Sequence, residues 1–424
     1  INNSPEMKAS ILVKKNKSFF IEDVHVGSII EKFATPSYIY SKQRITDNFK
    51  NFEAAFKDIK HLICFAVKAN SNLAILNLLA KNGAGFDIVS GGELRRVLAA
   101  KGDPRKIVFS GVGKTSEEIK LAIETNILAF NIESEDELSR IQEIAKSLNK
   151  KASISIRVNP NVDANTHPYI STGLKENKFG VSEACAFDLY KRAKKFDSIS
   201  IEGIDCHIGS QITDLKPFED SIRKLIALVD KLELEGIKIK HMDIGGGIGV
   251  SYEDEKTIAF NEYAKVVATL TKDRDIKILL EPGRAIMADA GVIMTKVEYV
   301  KKDQVKNFAI IDAAMNDLMR PSLYGAFHKI LNVSDTTEKK LNFDIVGPIC
   351  ETGDFIGKDR MMSIEPNNIL VILDAGAYAM SMSSNYNSRP RLYELMIDKD
   401  KIHVIREKES FDDLIKGERL LLES

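Results

Sequence analysis

Four short stretches of the chain carry side chains suited to chemistry. Lys68 follows the apolar run ICFAV, and His207 and Ser210 lie in HIGS. The run DIGGGIG ends at Gly249, and EPGR ends at Arg284. A lysine amine among apolar neighbours has a lowered pKa and can form a Schiff base. Taken singly, each stretch also fits a structural role, as a surface lysine, a buried histidine, a tight turn or a strand cap.

The elements that must position these stretches alternate between strands and helices. Ser90, Thr115 and Ser134 each precede a glutamate by three residues, which is typical of a helix start. Eight apolar runs rich in β-branched and aromatic residues predict buried strands at 61–70, 84–92, 106–113, 127–134, 152–160, 201–210, 239–247 and 276–284. This alternation predicts a parallel (β/α)8 barrel over residues 36–284. An open doubly wound sheet is the alternative, and eight units at this spacing favour closure.

A barrel of this kind brings the chemical stretches together. Its catalytic groups stand at the C-terminal ends of the strands and in the loops that follow. Lys68, Asp87, His207 and Glu281 occupy such ends, and so does the glycine run. We therefore expect an amine, an imidazole, a glycine nest and a Glu/Arg pair to converge on one mouth.

The glycine run predicts a phosphate site. Successive backbone amides without side chains form a nest that binds phosphate, and the loop after the seventh barrel strand is a usual place for one. Tyr252 stands where a G-x-G-x-x-G fingerprint would need its last glycine, which argues against a dinucleotide site. A tight turn without a ligand remains the alternative for the glycines alone.

After residue 285 the strands come at shorter spacing with few helices between them. We expect a second, mainly antiparallel, β-barrel-like domain formed by residues 1–35 and 285–424, because the N-terminal segment also has strand character. The connection 160–177 has little regular pattern, and long connections of this kind are usually lids or binding loops.

Composition excludes several classes of protein. The 424 residues include 60 Lys+Arg and 61 Asp+Glu, so no basic excess points to nucleic acid. No apolar run approaches the roughly 20 residues needed to cross a bilayer. The four cysteines form no C-x-x-C pair, so we expect neither a metal site nor disulfides, and we expect a cytoplasmic location.

Seven segments occur in one order along the chain: FAVKAN, HIGSQI, DIGGGIG, EPGR, RPSLYGAFH, GPICETGD and DAGAYAMSMSSNYNSRPR. Together they resemble the diaminopimelate decarboxylases, which use pyridoxal 5'-phosphate in an alanine-racemase-like barrel. The resemblance covers about residues 35 to 400. It implies a carboxy-lyase that removes CO2 from the D centre of meso-2,6-diaminopimelate to give L-lysine, the last step of bacterial lysine biosynthesis.

The resemblance also implies which residues hold the cofactor. Lys68 would carry it covalently, His207 would stack on its ring, and Glu281 would pair with the pyridine nitrogen. A carboxylate there keeps the ring protonated, and a protonated ring is a better electron sink. The remaining cofactor contacts implied are Ser210, Gly245, Gly246, Gly247, Gly283, Arg284 and Tyr378.

Substrate binding is implied for a further set of residues. Cys350 would protonate the carbanion after CO2 leaves, and Glu351 would take the distal ammonium, both offered by the partner subunit of a homodimer with shared sites. Arg284 and Arg320 would clamp the distal carboxylate, since a guanidinium binds carboxylate in a bidentate manner. Tyr324 and Tyr378 would complete the substrate contacts.

Two alternatives stay open from the sequence. A related decarboxylase could act on ornithine, arginine or carboxynorspermidine, which lack the second amino-acid end. An inactive family member could instead bind a partner protein. The presence of Lys68 and Cys350 argues against the inactive form.

Overall fold

The computed structural model describes residues 10–164, 166–174 and 177–421. Three residues of the predicted binding loop, Asn165, Lys175 and Glu176, therefore lie outside the described residues. The chain divides into two compact units, Thr46–Ile286 and Ile1–Ile45 with Met287–Ser424. Within the described part, no helix has both the length and the apolar character needed to cross a membrane.

The N-terminal segment forms a small antiparallel sheet and then enters a larger one. The small sheet contains β1 (Leu12–Lys15), β2 (Ser18–Ile21) and β3 (Val24–His25), followed by α1 (Val26–Lys32). The next strand, β4 (Ser37–Ser41), is buried along its whole length. The next helix, α2 (Lys42–Ala55), contains the point at which the chain passes from one unit to the other.

The predicted parallel (β/α)8 barrel is confirmed. Its eight strands follow chain order and close into a ring: β5 (His61–Ala66), β6 (Gly85–Ile88), β7 (Ile107–Phe109), β8 (Ala129–Ile132), β9 (Ala152–Arg157), β10 (Ile199–Asp205), β11 (His241–Asp243) and β12 (Lys277–Leu280). The helices of this unit are α3 (Leu73–Lys81), α4 (Gly91–Ala99), α5 (Ser116–Thr125), α6 (Glu135–Ser147), α7 (Glu183–Ala193), α8 (Lys216–Leu234), α9 (Phe260–Leu270) and the short α10 (Arg284–Met287).

All three predicted helix starts have the expected N-cap, but only one of them forms the reciprocal capping box, because at α6 Glu137 accepts from the amide of Glu133 and not from that of Ser134. Thr115 and Glu118 at the start of α5 form the full reciprocal capping box. At α4, Ser90 accepts from the amide of Glu93, but the glutamate side chain accepts from Val89 instead of from the cap.

The barrel strands place apolar residues low in the barrel and polar residues at their C-terminal ends. Leu62, Cys64, Val108 and Leu279 form one buried cluster in this unit. Such close packing anchors the strands, so the polar residues that follow are held on a rigid frame.

The second unit is mainly antiparallel, as predicted. Its C-terminal elements are β13 (Gly291–Lys301), β14 (Asn307–Ile311), α11 (Arg320–Tyr324), β15 (Ile330–Asn332), β16 (Leu341–Val346), β17 (Phe355–Met362), β18 (Ile369–Ile372), β19 (Tyr393–Asp398), β20 (Lys401–Arg406) and α12 (Phe411–Ile415). The described pairings follow the order β17-β16-β14-β13-β4-β19-β20 and branch at β13, which also pairs with β18.

The boundary of the two units differs from the predicted one at residues 36–45. The predicted barrel began at residue 36, although the strand character of residues 37–41 pointed to the second domain, and the ladder partners of β4 are β13 and β19 of the second unit. Tyr38, Ile39 and Tyr40 are buried in this position. A short apolar run fits either sheet equally well by pattern, and only pairing decides between them.

Candidate active site

The C-terminal ends of the barrel strands line a cavity of about 570 Å³. Lys68, Asp87, His207 and Glu281 all contribute to its walls, as the sequence analysis expected. Four different strands or their loops supply these groups, so the barrel itself sets their spacing.

Lys68 lies in a single 3-10 turn, Val67–Ala69, directly after β5. Its Nζ is 3.6 Å from Oδ2 of Asp87, and the two side chains are 38% and 1% exposed. The sequence analysis expected apolar surroundings for this amine. The difference arises because the neighbouring strand β6 presents Asp87 to the same cavity, one position from its end.

His207 presents a half-buried ring held by the glycine turn. The amide of Gly246 donates to Nδ1 of His207 at 3.2 Å, so this ring nitrogen accepts a hydrogen bond. Desolvation lowers the pKa of His207 well below its ordinary value, and the charges of Lys68 and Arg157 add to the shift. The ring is therefore neutral at physiological pH and offers a flat face to the cavity.

The glycine turn packs too tightly for side chains. A Cβ on Gly246 would collide with the carbonyl oxygen of Glu281, and one on Gly247 would collide with that of Gly209. Gly247 also has φ of +95°, a conformation that favours glycine. The turn thus brings backbone close to backbone at the mouth of the barrel.

Arg284 and Ser210 meet beside this turn. Arg284 is buried, and it donates through Nη2 to Ser210 Oγ at 2.9 Å and through Nη1 to the Tyr252 hydroxyl at 2.6 Å. Gly283 precedes Arg284, and a Cβ there would press against Ala69. A guanidinium, a hydroxyl and a glycine turn in one place suit an anionic group such as phosphate.

Glu281 belongs to a group of buried carboxyls that the sequence analysis did not predict. The ligand oxygens of Asp205, Asp243 and Glu281 all lie within 4.8 Å of one another. Burial and the neighbouring carboxylates raise the pKa of Glu281 well above its ordinary value. Carboxylates at this spacing could hold a cation, but the guanidinium of Arg157 already acts on Asp205 and Glu281.

Arg157 is a second cavity residue missed from the sequence. It ends β9, its Nη1 is 2.9 Å from Oε1 of Glu133, and its guanidinium lies 4.9 Å from the ring centre of Phe179. The other Glu133 oxygen accepts from the amide of Gly180. The signal that could have found Arg157 is its place at a strand end, the same criterion that selected Lys68 and Glu281.

The described part of the predicted loop 160–177 contacts the His207 segment. Thr172 Oγ1 donates to the carbonyl of His207 at 2.8 Å, and Ser171 bridges to Gly209. Thr172 also lines the cavity. This position agrees with a loop that shapes the site.

The second unit carries the remaining predicted residues, of which Arg320 and Tyr324 belong to one helix. Arg320, at the start of α11, is buried and its Nη1 is 2.7 Å from Nε2 of His328. Ser322 of the same helix donates to the carbonyl of Gly353 at 2.6 Å, which ties α11 to the turn that carries Cys350.

The other predicted residues of this unit differ in exposure. Tyr324 closes α11 and is half-buried. Cys350 and Glu351 are exposed, and the amide of Cys350 donates to the side chain of Asn387 at 2.8 Å. Tyr378 is half-buried and has φ of +55°. A non-glycine residue in that region is uncommon and marks a constrained position.

Comparison with known proteins agrees with this geometry. Residues 42–288 match the family model described as pyridoxal-dependent decarboxylase, pyridoxal binding domain. The chain is 49% identical over 407 residues to a diaminopimelate decarboxylase of Pseudomonas aeruginosa, covering 96% of this chain and 98% of that protein. It is 50% identical over 402 residues to the one of Haemophilus influenzae, covering 94% and 97%.

A solved structure of the same name is equally similar. The crystal structure of diaminopimelate decarboxylase from Helicobacter pylori complexed with L-lysine superimposes with a TM-score of 0.89 at 47% identity, covering 92% of this chain and 98% of that chain. These relatives are about half identical to the chain over nearly its whole length. In addition, the cavity at the C-terminal end of the barrel contains the expected lysine and glutamate. The chain belongs to the diaminopimelate decarboxylases, within the pyridoxal-dependent decarboxylases.

Proposed function

We propose that this protein removes CO2 from the D centre of meso-2,6-diaminopimelate to give L-lysine, using pyridoxal 5'-phosphate. The observation that carries the proposal is the pairing of an amine and an unpartnered carboxyl oxygen in one cavity. Lys68 and Glu281 both line it, and Oε1 of Glu281 is buried with no hydrogen-bond partner among the described residues. A buried polar atom without a partner is costly unless a ligand satisfies it.

The residues present fit the cofactor at three points. Lys68 provides an amine for the aldehyde, and the orphaned oxygen of Glu281 suits a protonated ring nitrogen. Arg284 and Ser210, beside the glycine turn, suit the phosphate. When bound, the pyridinium ring supplies an electron sink for the pair left behind by CO2.

The chain's own groups then orient and protect the chemistry. Neutral His207 offers a flat face that can stack without adding charge. Asp87 lies within ion-pair distance of Lys68 and can hold a proton near its amine. Because Arg284 hydrogen-bonds Ser210 and Tyr252, we assign it to the phosphate in preference to the substrate carboxylate.

Specificity follows from the distal end of the substrate. That end keeps a carboxylate and an ammonium, and both need partners in a closed site. We assign the carboxylate to Arg320 with Tyr324, the ammonium to Glu351, and a further substrate contact to Tyr378. Arg320 supports this assignment because it is buried and already oriented by His328.

We further propose that the protein is a homodimer in which the second unit contributes Cys350 and Glu351 to the partner subunit's site. In that arrangement Cys350 returns a proton to the substrate carbon. Both residues are exposed in the single chain, which supports a role at a subunit interface. The four cysteines are unpaired, which supports a reducing, cytoplasmic location.

A substrate panel tests the proposed activity. The purified protein is incubated with cofactor and with meso-, L,L- or D,D-diaminopimelate, ornithine, lysine or arginine, and released CO2 is measured. We expect release from the meso isomer with L-lysine as product, and at least about 100-fold less from ornithine, lysine and arginine, which lack a distal carboxylate.

Two results would contradict the proposal. Release from ornithine or arginine but not from meso-diaminopimelate would favour a related decarboxylase. A protein without any borohydride-sensitive visible absorbance after incubation with the cofactor would favour an inactive family member.

A further inference from the structure

The polar end of the barrel contains more carboxyl groups than the nearby cations can neutralise. Asp205, Asp243 and Glu281 come from or directly follow the adjacent strands β10, β11 and β12, and all three are at least 95% buried, with exposed fractions of 1%, 0% and 5%. Asp205 and Asp243 are direct ladder partners. Three carboxylates so close together in a barrel interior cannot all be ionised.

The groups that face this cluster come from every neighbouring element. They are Asp87 of β6, Cys64 of β5, Asn131 of β8, Glu133 after β8, Arg157 of β9, Cys206 after β10, Tyr263 of α9 and Lys68 after β5. The two cations are already shared, Arg157 with Glu133 and Lys68 with Asp87. The charge excess therefore has to be relieved by protons.

Asp243 is the member of the cluster that the glycine turn holds within hydrogen-bond reach of Glu281. Its Oδ1 accepts from the amide of Gly245 at 2.9 Å, while its Oδ2 has no hydrogen-bond partner among the described residues. Glu281 is fixed to the same turn, because its amide donates to the carbonyl of Gly245 at 2.8 Å. One backbone turn thus sets the separation of the two carboxyl groups.

We propose that Asp243 is a positioning residue, which shares one proton with Glu281 in a hydrogen bond between the two carboxyl groups. The bond fixes the Glu281 side chain so that Oε1 faces the ring nitrogen of the cofactor. No net proton transfer is involved, since the proton stays between the two carboxyls. The test of this inference by cofactor binding rests on the proposed function, whereas its test by the pH dependence of stability does not.

The raised proton affinity of all three carboxyls supports a proton shared within the cluster. Burial raises the pKa of Asp243 to about 6, and burial with neighbouring carboxylates raises that of Glu281 and Asp205 further. A carboxyl whose pKa is higher in the folded than in the unfolded protein stabilises the fold, and this contribution is complete at a pH below its ordinary pKa. The contribution is lost as the pH rises through the pKa of the folded state. The full chain without cofactor should therefore become less stable between pH 5 and pH 8.

The first experiment measures the melting temperature of the full-length apoprotein from pH 5 to pH 8, for the wild type and for Asp243→Asn. The amide keeps a donor towards Glu281 and an acceptor for Gly245 but cannot titrate. We expect a smaller decrease in melting temperature for the variant than for the wild type. Parallel curves would overturn the inference, and this result would not depend on any substrate or cofactor.

The second experiment titrates pyridoxal 5'-phosphate into the same proteins and follows the visible absorbance. We expect Asp243→Asn to bind the cofactor within about threefold of the wild type, and Asp243→Ala to bind at least about tenfold more weakly, because only the alanine loses the donor. Equal affinities of the two variants would contradict a positioning role.

Asp317→Asn is the matched control. Asp317 lies in the other unit, and burial raises its pKa to about 6 as well. The control variant should also flatten the pH dependence of stability, yet its cofactor titration should equal that of the wild type. A matching loss of cofactor affinity in Asp317→Asn would show a general effect of removing a buried carboxyl and would also overturn the inference.

Discussion

At the scale of single residues, the arginine assigned to the substrate is held by a histidine of fixed tautomer. Nδ1 of His328 is 2.9 Å from the carbonyl oxygen of Leu373, which can only accept, so this nitrogen carries the proton. Nε2 of His328 therefore accepts from Arg320 at 2.7 Å. Both side chains are buried, so a neutral histidine orients the guanidinium without cancelling its charge.

This arrangement predicts how Arg320 and His328 contribute to substrate binding. Arg320→Ala should raise KM for meso-diaminopimelate by roughly 10- to 100-fold, since charge-assisted hydrogen bonds contribute about 1.5–3 kcal/mol. His328→Ala should raise KM in the same direction but less, with kcat nearly unchanged. Steady-state kinetics measure both effects, and the visible spectrum of the bound cofactor serves as the control. An unchanged KM for Arg320→Ala would remove it from the clamp.

At the scale of elements, strand ends were predictable from the sequence while the polar interior of the barrel was not. Lys68 and Glu281 stand in recognisable short motifs, and their convergence followed from the barrel alone. Asp205 and Asp243 end β10 and β11, so the strand-end criterion that fits Arg157 could have found them as well. The sequence could not show that they form one cluster with Glu281, because that depends on which strands become neighbours across the ladder.

The glycine turn gives a prediction at the same scale. Gly246→Ala should lower the free energy of unfolding by about 1–3 kcal/mol, because its Cβ would strike the Glu281 carbonyl. It should also weaken cofactor binding, because a shift of the turn would move the Gly246 amide that donates to His207. Denaturant unfolding and a cofactor titration measure the two effects.

Gly92→Ala in α4 is the control for this substitution. Its added Cβ would meet only Ser90 Oγ, at an ordinary 3.6 Å, so stability should stay equal or rise by up to about 1 kcal/mol. Equal stability of Gly246→Ala and the wild type would mean that the turn relaxes without strain.

At the scale of the whole molecule, the residues that we assign to the cofactor and to the distal end of the substrate lie mainly in different units. The barrel unit holds the residues that fit the cofactor, and the second unit carries Arg320, Cys350 and Glu351. The predicted boundary between residues 35 and 36 lies just before β4, whereas the two units divide after Ile45, which shows why such divisions are hard to predict. The burial pattern of β4 is uniform, so only its pairing with β13 and β19 reveals its unit.

Subunit mixing tests whether two chains share each site. Lys68→Ala and Cys350→Ala subunits should each be nearly inactive alone. After equal mixing and full exchange, half of the dimers contain one of each, and one of their two sites has both native residues. About one quarter of wild-type activity should return. A parallel mixture of Lys68→Ala with the Lys68→Ala/Cys350→Ala double variant offers no complete site and should stay inactive. If mass spectrometry shows exchange but activity stays absent in the first mixture, each site is built within one chain.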